Sequence, residues 1–195
     1  MQIQRLDCAA AQKLYTAHMV RDFPAAELKP FTAVRELMQA GLYEPLALCG
    51  ADGGMRAYAW QVLQPGRRSA LLDYFAVRQD LRGAGVGTQA LRLLAELYRE
   101  RLDSLILECE HPDEAPDRAA AERRIAFYLR AGARQTALES RVFGVRYRIL
   151  ALPCGGCAAD GALGRDLREL YRLMVPEPYC RGHVIFYGPG GHTTP

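Results

Sequence analysis

The sequence predicts an α/β (α+β) fold in which helices flank a mixed central sheet, followed by a C-terminal helix–strand extension. Apolar stretches of strand length alternate with segments of helical spacing along the 195 residues. Glycine-rich turns join the early stretches as hairpins, which indicates antiparallel pairing. One helix separates the strand Ala70–Val77 from the strand Leu105–Cys109, and this order predicts a parallel crossover in the middle of the sheet.

Prolines and glycines delimit the N-terminal elements. Pro24 and Pro30 end the first helix, because proline lacks a backbone donor and restricts the residue before it. Gly53 and Gly54 mark a hairpin turn. The predicted elements are the strand Gln2–Leu6, the helices Cys8–Val20 and Phe31–Ala40, and the strands Leu46–Cys49 and Ala57–Leu63.

From Ala70 onward, helical and strand periodicity continue to alternate. Gly132 is a natural cap for the helix that precedes it. The predicted elements are the strand Ala70–Val77, a helix from Gly87 to about Arg101, the strand Leu105–Cys109, the helix Arg118–Arg130, the strands Thr136–Leu138 and Val142–Leu152, the helix Arg165–Met174 and the apolar strip Val184–Tyr187.

The chain changes character at Pro153, where a Gly/Cys turn begins. We therefore expect one domain over residues 1–152, because a chain of this length suits one domain with a terminal extension. Residues 153–187 are expected to form a C-terminal extension packed on that domain. Residues 188–195 are predicted to be a disordered tail.

The composition excludes several classes of partner. With 25 basic and 22 acidic residues the net charge is only +3, and no basic block stands out, so we expect no nucleic-acid partner. No apolar run approaches the roughly 18 residues of a membrane-spanning helix, so we expect no membrane partner. The N-terminus lacks the basic-then-apolar pattern of a signal peptide. These features predict a cytoplasmic protein with reduced cysteines.

A glycine-rich loop, Arg82–Gly87, lies between the strand Ala70–Val77 and an amphipathic helix. The start of a helix exposes unpaired N–H groups and the positive end of the helix dipole, which suits a phosphate. Glycines allow the backbone to approach an anion closely, and Arg82 adds a fork of donors. The loop therefore predicts a site for a phosphate or pyrophosphate group.

Several ligands use such a loop. A P-loop nucleotide site is excluded, because Gly87 is followed by Thr88 and Gln89 where that motif requires lysine. A dinucleotide site of the Rossmann type is a weaker alternative, since threonine replaces its third glycine, although Glu108 lies about 20 residues further on. The loop could also be a plain strand-to-helix turn.

The loop resembles the acetyl-CoA motif of the GNAT superfamily of N-acetyltransferases, Gln/Arg-x-x-Gly-x-Gly/Ala, with Arg82, Gly85 and Gly87 at the matching positions. The segment Ile125–Ala133 looks like the Tyr-x-x-x-Gly-Phe helix end of the same family. Both motifs occur in the family's order, and the resemblance covers about residues 1–152. The segment Asp22–Phe31 and the run Arg123–Tyr128 also look like an uncharacterised bacterial subgroup of the superfamily.

The resemblance implies a GNAT fold with acetyl-CoA as co-substrate and no metal. In the family, main-chain groups of the strand before the loop contact the pantetheine arm. The cofactor-binding residues implied here are Phe75, Ala76, Val77, Arg82, Gly83, Ala84, Gly85, Val86, Gly87 and Thr88.

The family's tyrosine lies near the thioester sulfur, and Tyr128 takes that position. A phenol can donate a proton to a leaving thiolate, although Tyr128 could instead be a packing residue. Two departures concern the acceptor side: Ala121 and Arg124 stand where the family often has Asn and Ala. Ala133 also replaces the usual Phe.

Three carboxylates are candidates for the base that deprotonates the acceptor amine: Asp73, Glu108 and Glu110. Strand alternation predicts that Asp73 shares a face with Phe75 and Val77, and that Glu108 shares a face with Glu110. Acidic side chains in apolar strands are costly unless they are paired or solvated, which indicates a wet cleft. Ion pairing with Arg123 or Arg124, or a water relay, remains an alternative.

In members of the family the first two helices and their connection border the acceptor site. The implied substrate-binding residues are Arg21, Asp22, Glu27 and Lys29, and the alternative is a solvated loop stiffened by prolines. The expected partner is a small-molecule or peptide amine, and a homodimer is possible for this family. The strip Val184–Tyr187 could add a strand within or between subunits.

Four residues of the C-terminal segment form a CxxC…CxxH pattern: Cys154, Cys157, Cys180 and His183. Such a set could bind zinc tetrahedrally, but the preceding domain needs no metal to fold, and the pairs could be a turn and a strand edge.

The sequence therefore predicts an acyltransferase that moves an acetyl group from acetyl-CoA to a primary amine by direct attack. The alternative is a non-catalytic acyl-CoA-binding or partner-binding module with the same fold.

Overall fold

The computed structural model describes residues 1–188, and within them eight strands form one mixed sheet in the order β1-β2-β3-β4-β5-β7-β6-β8. The predicted tail, residues 188–195, lies outside the described residues apart from Gly188. The strands are β1 (Gln2–Arg5), β2 (Tyr43–Cys49), β3 (Met55–Val62), β4 (Ser69–Val77), β5 (Ser104–Glu110), β6 (Arg134–Val142), β7 (Val145–Pro153) and β8 (Val184–Tyr187). The mixed central sheet with helices around it confirms the predicted fold class.

Helices cover both faces of the sheet. They are α1 (Cys8–Leu14), α2 (Val20–Asp22), α3 (Phe31–Gln39), α4 (Val86–Tyr98), α5 (Arg118–Arg130), α6 (Asp160–Met174) and α7 (Glu177–His183). Apolar residues of α1, α3 and α6 form one buried cluster with the sheet, on what we call the α6 face. Residues of α4 and α5 form a second cluster, on the α4 face. No helix within residues 1–188 is long and apolar enough to cross a membrane.

Some predicted boundaries differ from the structure. The first predicted helix is interrupted by a π-helical turn at Tyr15–Met19. β6 spans Arg134–Val142, longer than the predicted strand Thr136–Leu138. β7 begins at Val145 rather than Val142, because Phe143 and Gly144, with φ of 47° and 88°, form the tight turn between the two strands. A phenylalanine is an unusual residue for positive φ, so the sequence did not reveal this turn. α6 begins at Asp160 rather than Arg165, because its glycines hid the first turn.

β4 and β5 are parallel neighbours over a short distance. Ladder pairing joins Ser69–Leu71 to Ser104–Ile106, and no pairing continues beyond it within the described residues. β4 nevertheless stays paired with β3 as far as Val77, and β5 stays paired with β7 as far as Glu110. The two strands therefore diverge and leave an opening in the middle of the sheet, which we call the cleft.

Residues 153–187 add the helices α6 and α7 and the strand β8 to the structure. β8 pairs antiparallel with β6 at the edge of the sheet, so the strip Val184–Tyr187 adds a strand within the subunit. The turn after β7 is hydrogen-bonded to the loop after α4: Cys154 N donates to Asp103 O at 2.8 Å, and Gly155 N donates to Leu102 O at 2.9 Å.

Gly155 is predicted to be essential for this junction. A Cβ at this position would lie 1.7 Å from the Arg99 carbonyl oxygen, so Gly155→Ala forces the backbone apart. We expect it to lower the free energy of unfolding by about 3 kcal/mol, measured by urea denaturation. Gly161→Ala is the matched control, because its nearest neighbour is a side-chain atom of Arg165 at 3.7 Å. An equal loss in both variants would contradict the steric explanation.

Candidate active site

The glycine loop presents backbone to open space at the mouth of the cleft. A short 3₁₀ turn, Gln79–Leu81, follows β4, and α4 begins at Val86. Gly83 and Gly85 have φ of 80° and 79°, and no atom lies within 4 Å of a Cβ built on either. The N–H groups of the first turn of α4 lack intrahelical acceptors, as at any helix start. This surface fits an anion such as pyrophosphate.

Gly87 and Arg82 contact other parts of the protein. A Cβ on Gly87 would lie 2.9 Å from Phe127 Cζ, so this glycine permits α4 and α5 to approach each other. Arg82 Nε donates to the Val77 carbonyl at 3.2 Å, and the side chain is otherwise exposed. Ala84, Val86 and Thr88 lie in the same loop and helix start. The loop is thus held beside the end of β4.

The edge of β4 that faces the cleft has no ladder partner from Leu72 to Val77 within residues 1–188. Phe75, Ala76 and Val77 lie on this stretch, immediately before the glycine loop. The ring of Phe75 stacks on Phe127 of α5, with centroids 6.4 Å apart and an interplanar angle of 9°. An extended ligand arm can therefore pair with free main-chain groups here, as an added strand would.

Tyr128 lies on α5 beside this edge. Its ring centroid is 6.5 Å from that of Phe75 and 5.1 Å from that of Phe127. Its hydroxyl makes no hydrogen bond within the described part of the chain. Burial raises the pKa of Tyr128, with a smaller contribution from Cys109, while the charge of Arg124 lowers it. The phenol therefore stays protonated at neutral pH and has a free hydrogen to donate.

Asp73 does not share a face with Phe75 and Val77, so that prediction is wrong. A bulge shifts the register of β4 here: Trp60 opposes Tyr74, but Gln61 opposes Leu72. Asp73 is the extra residue, and its carboxylate lies on the α6 face. Lys29 Nζ and the Tyr43 hydroxyl each contact it at 2.6 Å. The carboxylate is therefore bound on both oxygens.

Tyrosine hydroxyls hold the segment between α2 and α3. Tyr74 OH accepts from Lys29 N and donates to Glu27 O, both at 2.8 Å. Tyr15 OH donates to Lys29 O at 2.9 Å. Partial desolvation raises the pKa of the Glu27 carboxyl, the negative charge of Glu110 raises it further, and the charge of Arg124 lowers it.

The other two predicted acceptor residues lie at the end of α2. Asp22 accepts a hydrogen bond from Tyr58 OH at 2.9 Å, which anchors α2 to β3. Arg21 is exposed, and its Nε lies 3.4 Å from Asp22 Oδ1. Asp22 thus has a structural contact, and Arg21 is available to solvent.

Glu108 and Glu110 lie on the α6 face of β5, beyond the last β4–β5 pair, and Cys109 between them lies on the α4 face. Ser140 Oγ and Tyr171 OH donate to Glu108 at 2.9 and 2.6 Å. Burial raises the pKa of Glu108, these two hydrogen bonds lower it, and the charge of Asp73 raises it. Arg124 Nη1 lies 3.9 Å from Glu110 Oε2, so the predicted ion pairing concerns Glu110 and not Glu108.

Sequence reasoning missed Tyr171, Ser140 and the tyrosines that hold Lys29. The one available signal is that Tyr171 extends the apolar stripe Leu163, Leu167 and Leu170 of α6. A tyrosine at the end of such a stripe usually finds a partner for its hydroxyl. The partner itself, on a strand more than sixty residues away, has no sequence signal.

The four residues of the CxxC…CxxH pattern are divided between two elements. Cys154 and Cys157 lie in the turn after β7, whereas Cys180 and His183 belong to α7. Within residues 1–188 no three His, Cys, Asp or Glu side chains are grouped to hold a metal ion. The zinc alternative therefore has no assembled ligand set in the described structure. His183 instead stacks on Phe143, with centroids 5.5 Å apart.

The sequence of this chain matches the model of one protein family. Residues 12–132 match the model of the "Acetyltransferase (GNAT) family", more than half of the chain. The chain therefore belongs to the GNAT acetyltransferase family, as its two motifs indicated. No curated protein sequence matches it significantly.

Solved structures support the same fold. A GNAT-family protein from Bacteroides thetaiotaomicron is 21% identical, with a TM-score of 0.68 over 92% of this chain and 98% of the other. The ribosomal-protein-S18-alanine N-acetyltransferase of Escherichia coli is 22% identical, with a TM-score of 0.55 over 82% and 96%. A dodecameric spermidine N-acetyltransferase from Vibrio cholerae is 9% identical, with a TM-score of 0.57 over 78% and 92%. At these identities the likeness is one of fold.

The contacts of Asp73 predict that it stabilises the fold. Asp73→Asn leaves Lys29 without its counter-ion in a largely buried site, where side-chain exposures are 9% and 26%. We expect a loss of about 2 kcal/mol in the free energy of unfolding by urea denaturation, less than for a fully buried pair. Asp80→Asn, at the exposed pair with Arg78, is the control and should show no change. Unchanged stability of Asp73→Asn would contradict this role.

Proposed function

We propose that this protein transfers an acetyl group from acetyl-CoA to a primary amine by direct attack. The observation that carries the proposal is the unpaired edge of β4 in the cleft, with the glycine loop at one end and Tyr128 beside it. Membership of the GNAT acetyltransferase family supports it. A free strand edge next to an anion-binding helix start suits a ligand with a pyrophosphate group and an amide-bearing arm.

The proposed cofactor residues have separate tasks. Backbone N–H groups at Gly83–Gly85 and the start of α4, with the Arg82 guanidinium, bind the pyrophosphate. Main-chain groups of Phe75–Val77 pair with the pantetheine arm and direct the thioester into the cleft. Gly87 acts indirectly, since its missing side chain allows Phe127, and with it α5, to lie against α4.

The chemistry requires three groups. An N–H of β4 near Phe75–Val77 polarises the thioester carbonyl as the amine nitrogen attacks. The C–S bond then breaks and the new amide bond forms. Tyr128 donates a hydrogen bond to the departing thiolate, which takes its proton from water on release, and the base removes the proton that the amine loses. Because burial raises the pKa of Tyr128, it acts chiefly by holding a hydrogen bond to the sulfur.

Glu108 is the carboxylate best suited to be the base, acting directly or through a water molecule. Its pKa is raised by burial, which brings it closer to the working pH of a general base. Asp73 is held in an ion pair by Lys29 as well as by Tyr43, whereas the donors to Glu108 are two uncharged hydroxyls. Glu110 lies at the mouth of the cleft with Glu27, where both carboxylates can attract a cationic amine, either a small molecule or a peptide.

Acetyl-CoA binding tests the cofactor site. Isothermal titration calorimetry should show acetyl-CoA binding to the intact protein. Arg82→Ala should weaken it by about tenfold or more, because a charge-assisted hydrogen bond to phosphate is lost. Arg92→Ala, an exposed arginine on the outer side of α4, is the matched control and should bind as the wild type does. Absence of binding by the wild type would refute the proposed function.

Turnover tests the role of Tyr128. With a panel of primary amines and release of the CoA thiol as readout, Tyr128→Phe should lower kcat by about 100-fold. The KM for acetyl-CoA should change little, because the lost hydroxyl acts on the leaving sulfur. Tyr179→Phe, an exposed tyrosine of α7, is the control. If acetyl-CoA binds but no amine reacts, the chain is better described as an acyl-CoA-binding module.

A further inference from the structure

The carboxylate of Glu108 is held from two sides. Tyr171 OH donates to Oε2 at 2.6 Å, and Ser140 Oγ donates to Oε1 at 2.9 Å. Ser140 is fully buried in β6, and Tyr171 is 7% exposed on α6. A carboxylate held by one donor on each oxygen has a fixed plane and a fixed direction for its remaining lone pairs.

Tyr171 lies outside the part of the chain that the family model matches, residues 12–132. It belongs to α6, the main helix of the C-terminal extension, residues 153–187. The matched segment therefore does not include this contact. A side chain of the extension therefore reaches Glu108 of β5, beyond the last β4–β5 pair.

α6 is fixed firmly enough to place this hydroxyl. Leu163, Leu167 and Leu170 are buried against the sheet. An ion pair connects the start of α6 to β6, where Arg134 Nη1 lies 2.7 Å from Asp160 Oδ1. The Tyr171 ring packs edge-on against Phe186 of β8, with centroids 5.6 Å apart. The extension therefore presents the Tyr171 hydroxyl in one orientation.

Other charged and titratable groups also face Glu108 across the α6 face. Asp73 disfavours its charged form and Lys29 favours it, while the Tyr147 hydroxyl of β7 lies close enough to respond to its charge. Because Asp73 and Lys29 are paired with each other, their effects largely offset. The two hydrogen bonds from Tyr171 and Ser140 are thus the contacts that favour an ionised Glu108 against the cost of burial.

We infer that the C-terminal extension completes the active site, with Tyr171 as a positioning residue that orients Glu108 and keeps it ionised for removal of the proton from the acceptor amine. This inference rests on the proposed function, because Glu108 is the base only if the chain is an acetyltransferase. In this inference Tyr171 acts through its hydrogen bond to Glu108 and not on the reacting groups.

The test is Tyr171→Phe in the full-length chain, with the amine of the panel that reacts fastest. We expect kcat to fall by about tenfold, because a hydrogen bond to a charged group is lost. The acid limb of the pH profile of kcat/KM should move upward by about one pH unit, since the lost bond favoured the carboxylate. The sign follows because Glu108 acts only when deprotonated. The KM for acetyl-CoA should stay the same.

Three further variants separate positioning from a structural effect. Ser140→Ala should shift the limb in the same direction, and Tyr179→Phe, an exposed tyrosine of the same extension, should shift nothing. In a Glu108→Gln background, Tyr171→Phe should cause no additional loss of kcat. A loss that persists there, or one that changes the KM for acetyl-CoA without moving the pH profile, would overturn the inference.

A second readout does not depend on turnover. The Glu108 carboxyl carbon can be titrated by NMR in protein labelled at glutamate, with Glu108→Gln to assign its signal. Tyr171→Phe should raise the pKa of Glu108, and an unchanged titration would overturn the inference. If the wild type acetylates no amine, the proposed function fails, and this titration still decides whether Tyr171 controls the carboxylate.

Discussion

The early separation of β4 from β5 is the constraint on which the rest of the structure depends. Pairing ends at Leu71 and Ile106, yet both strands continue for several residues, each held by its other neighbour. A sheet that opens in its centre exposes main-chain donors and acceptors that must find partners elsewhere. Here the opening lies between a helix start rich in free N–H groups and a tyrosine with a free hydroxyl. These groups are available to form hydrogen bonds with a ligand in the opening.

The two faces of the opening are built differently. On the α4 face, Phe75, Phe127 and Tyr128 pack closely, and Gly87 makes room for them. On the α6 face, carboxylates are satisfied by long-range contacts, as when Lys29 and Tyr43 hold Asp73. The apolar face suits the sulfur-bearing arm of a thioester, and the acidic face suits a cationic amine. Direct transfer requires the two ligands to meet in the gap between them.

Local pattern predicted much of the fold and the position of the glycine loop. The helix Arg118–Arg130, the parallel crossover and the glycine loop follow from periodicity, capping and turn chemistry, which depend on nearby residues. The acceptor side was less predictable. A bulge of one residue moved Asp73 to the opposite face, and strand alternation cannot foresee an inserted residue. Glu108 was identified from the sequence, but its donors on β6 and α6 were not.

By itself, the sequence determined the class of fold, the position of the glycine loop and the helix that carries Tyr128, because each follows from periodicity or a short motif contained in neighbouring residues. Only the tertiary structure decided which carboxylates are engaged: Asp73 by Lys29, Glu110 by Arg124, and Glu108 by Tyr171. It also decided that the strip Val184–Tyr187 completes its own sheet. These outcomes depend on contacts between residues distant in the chain, whose geometry is set by packing and leaves no local pattern.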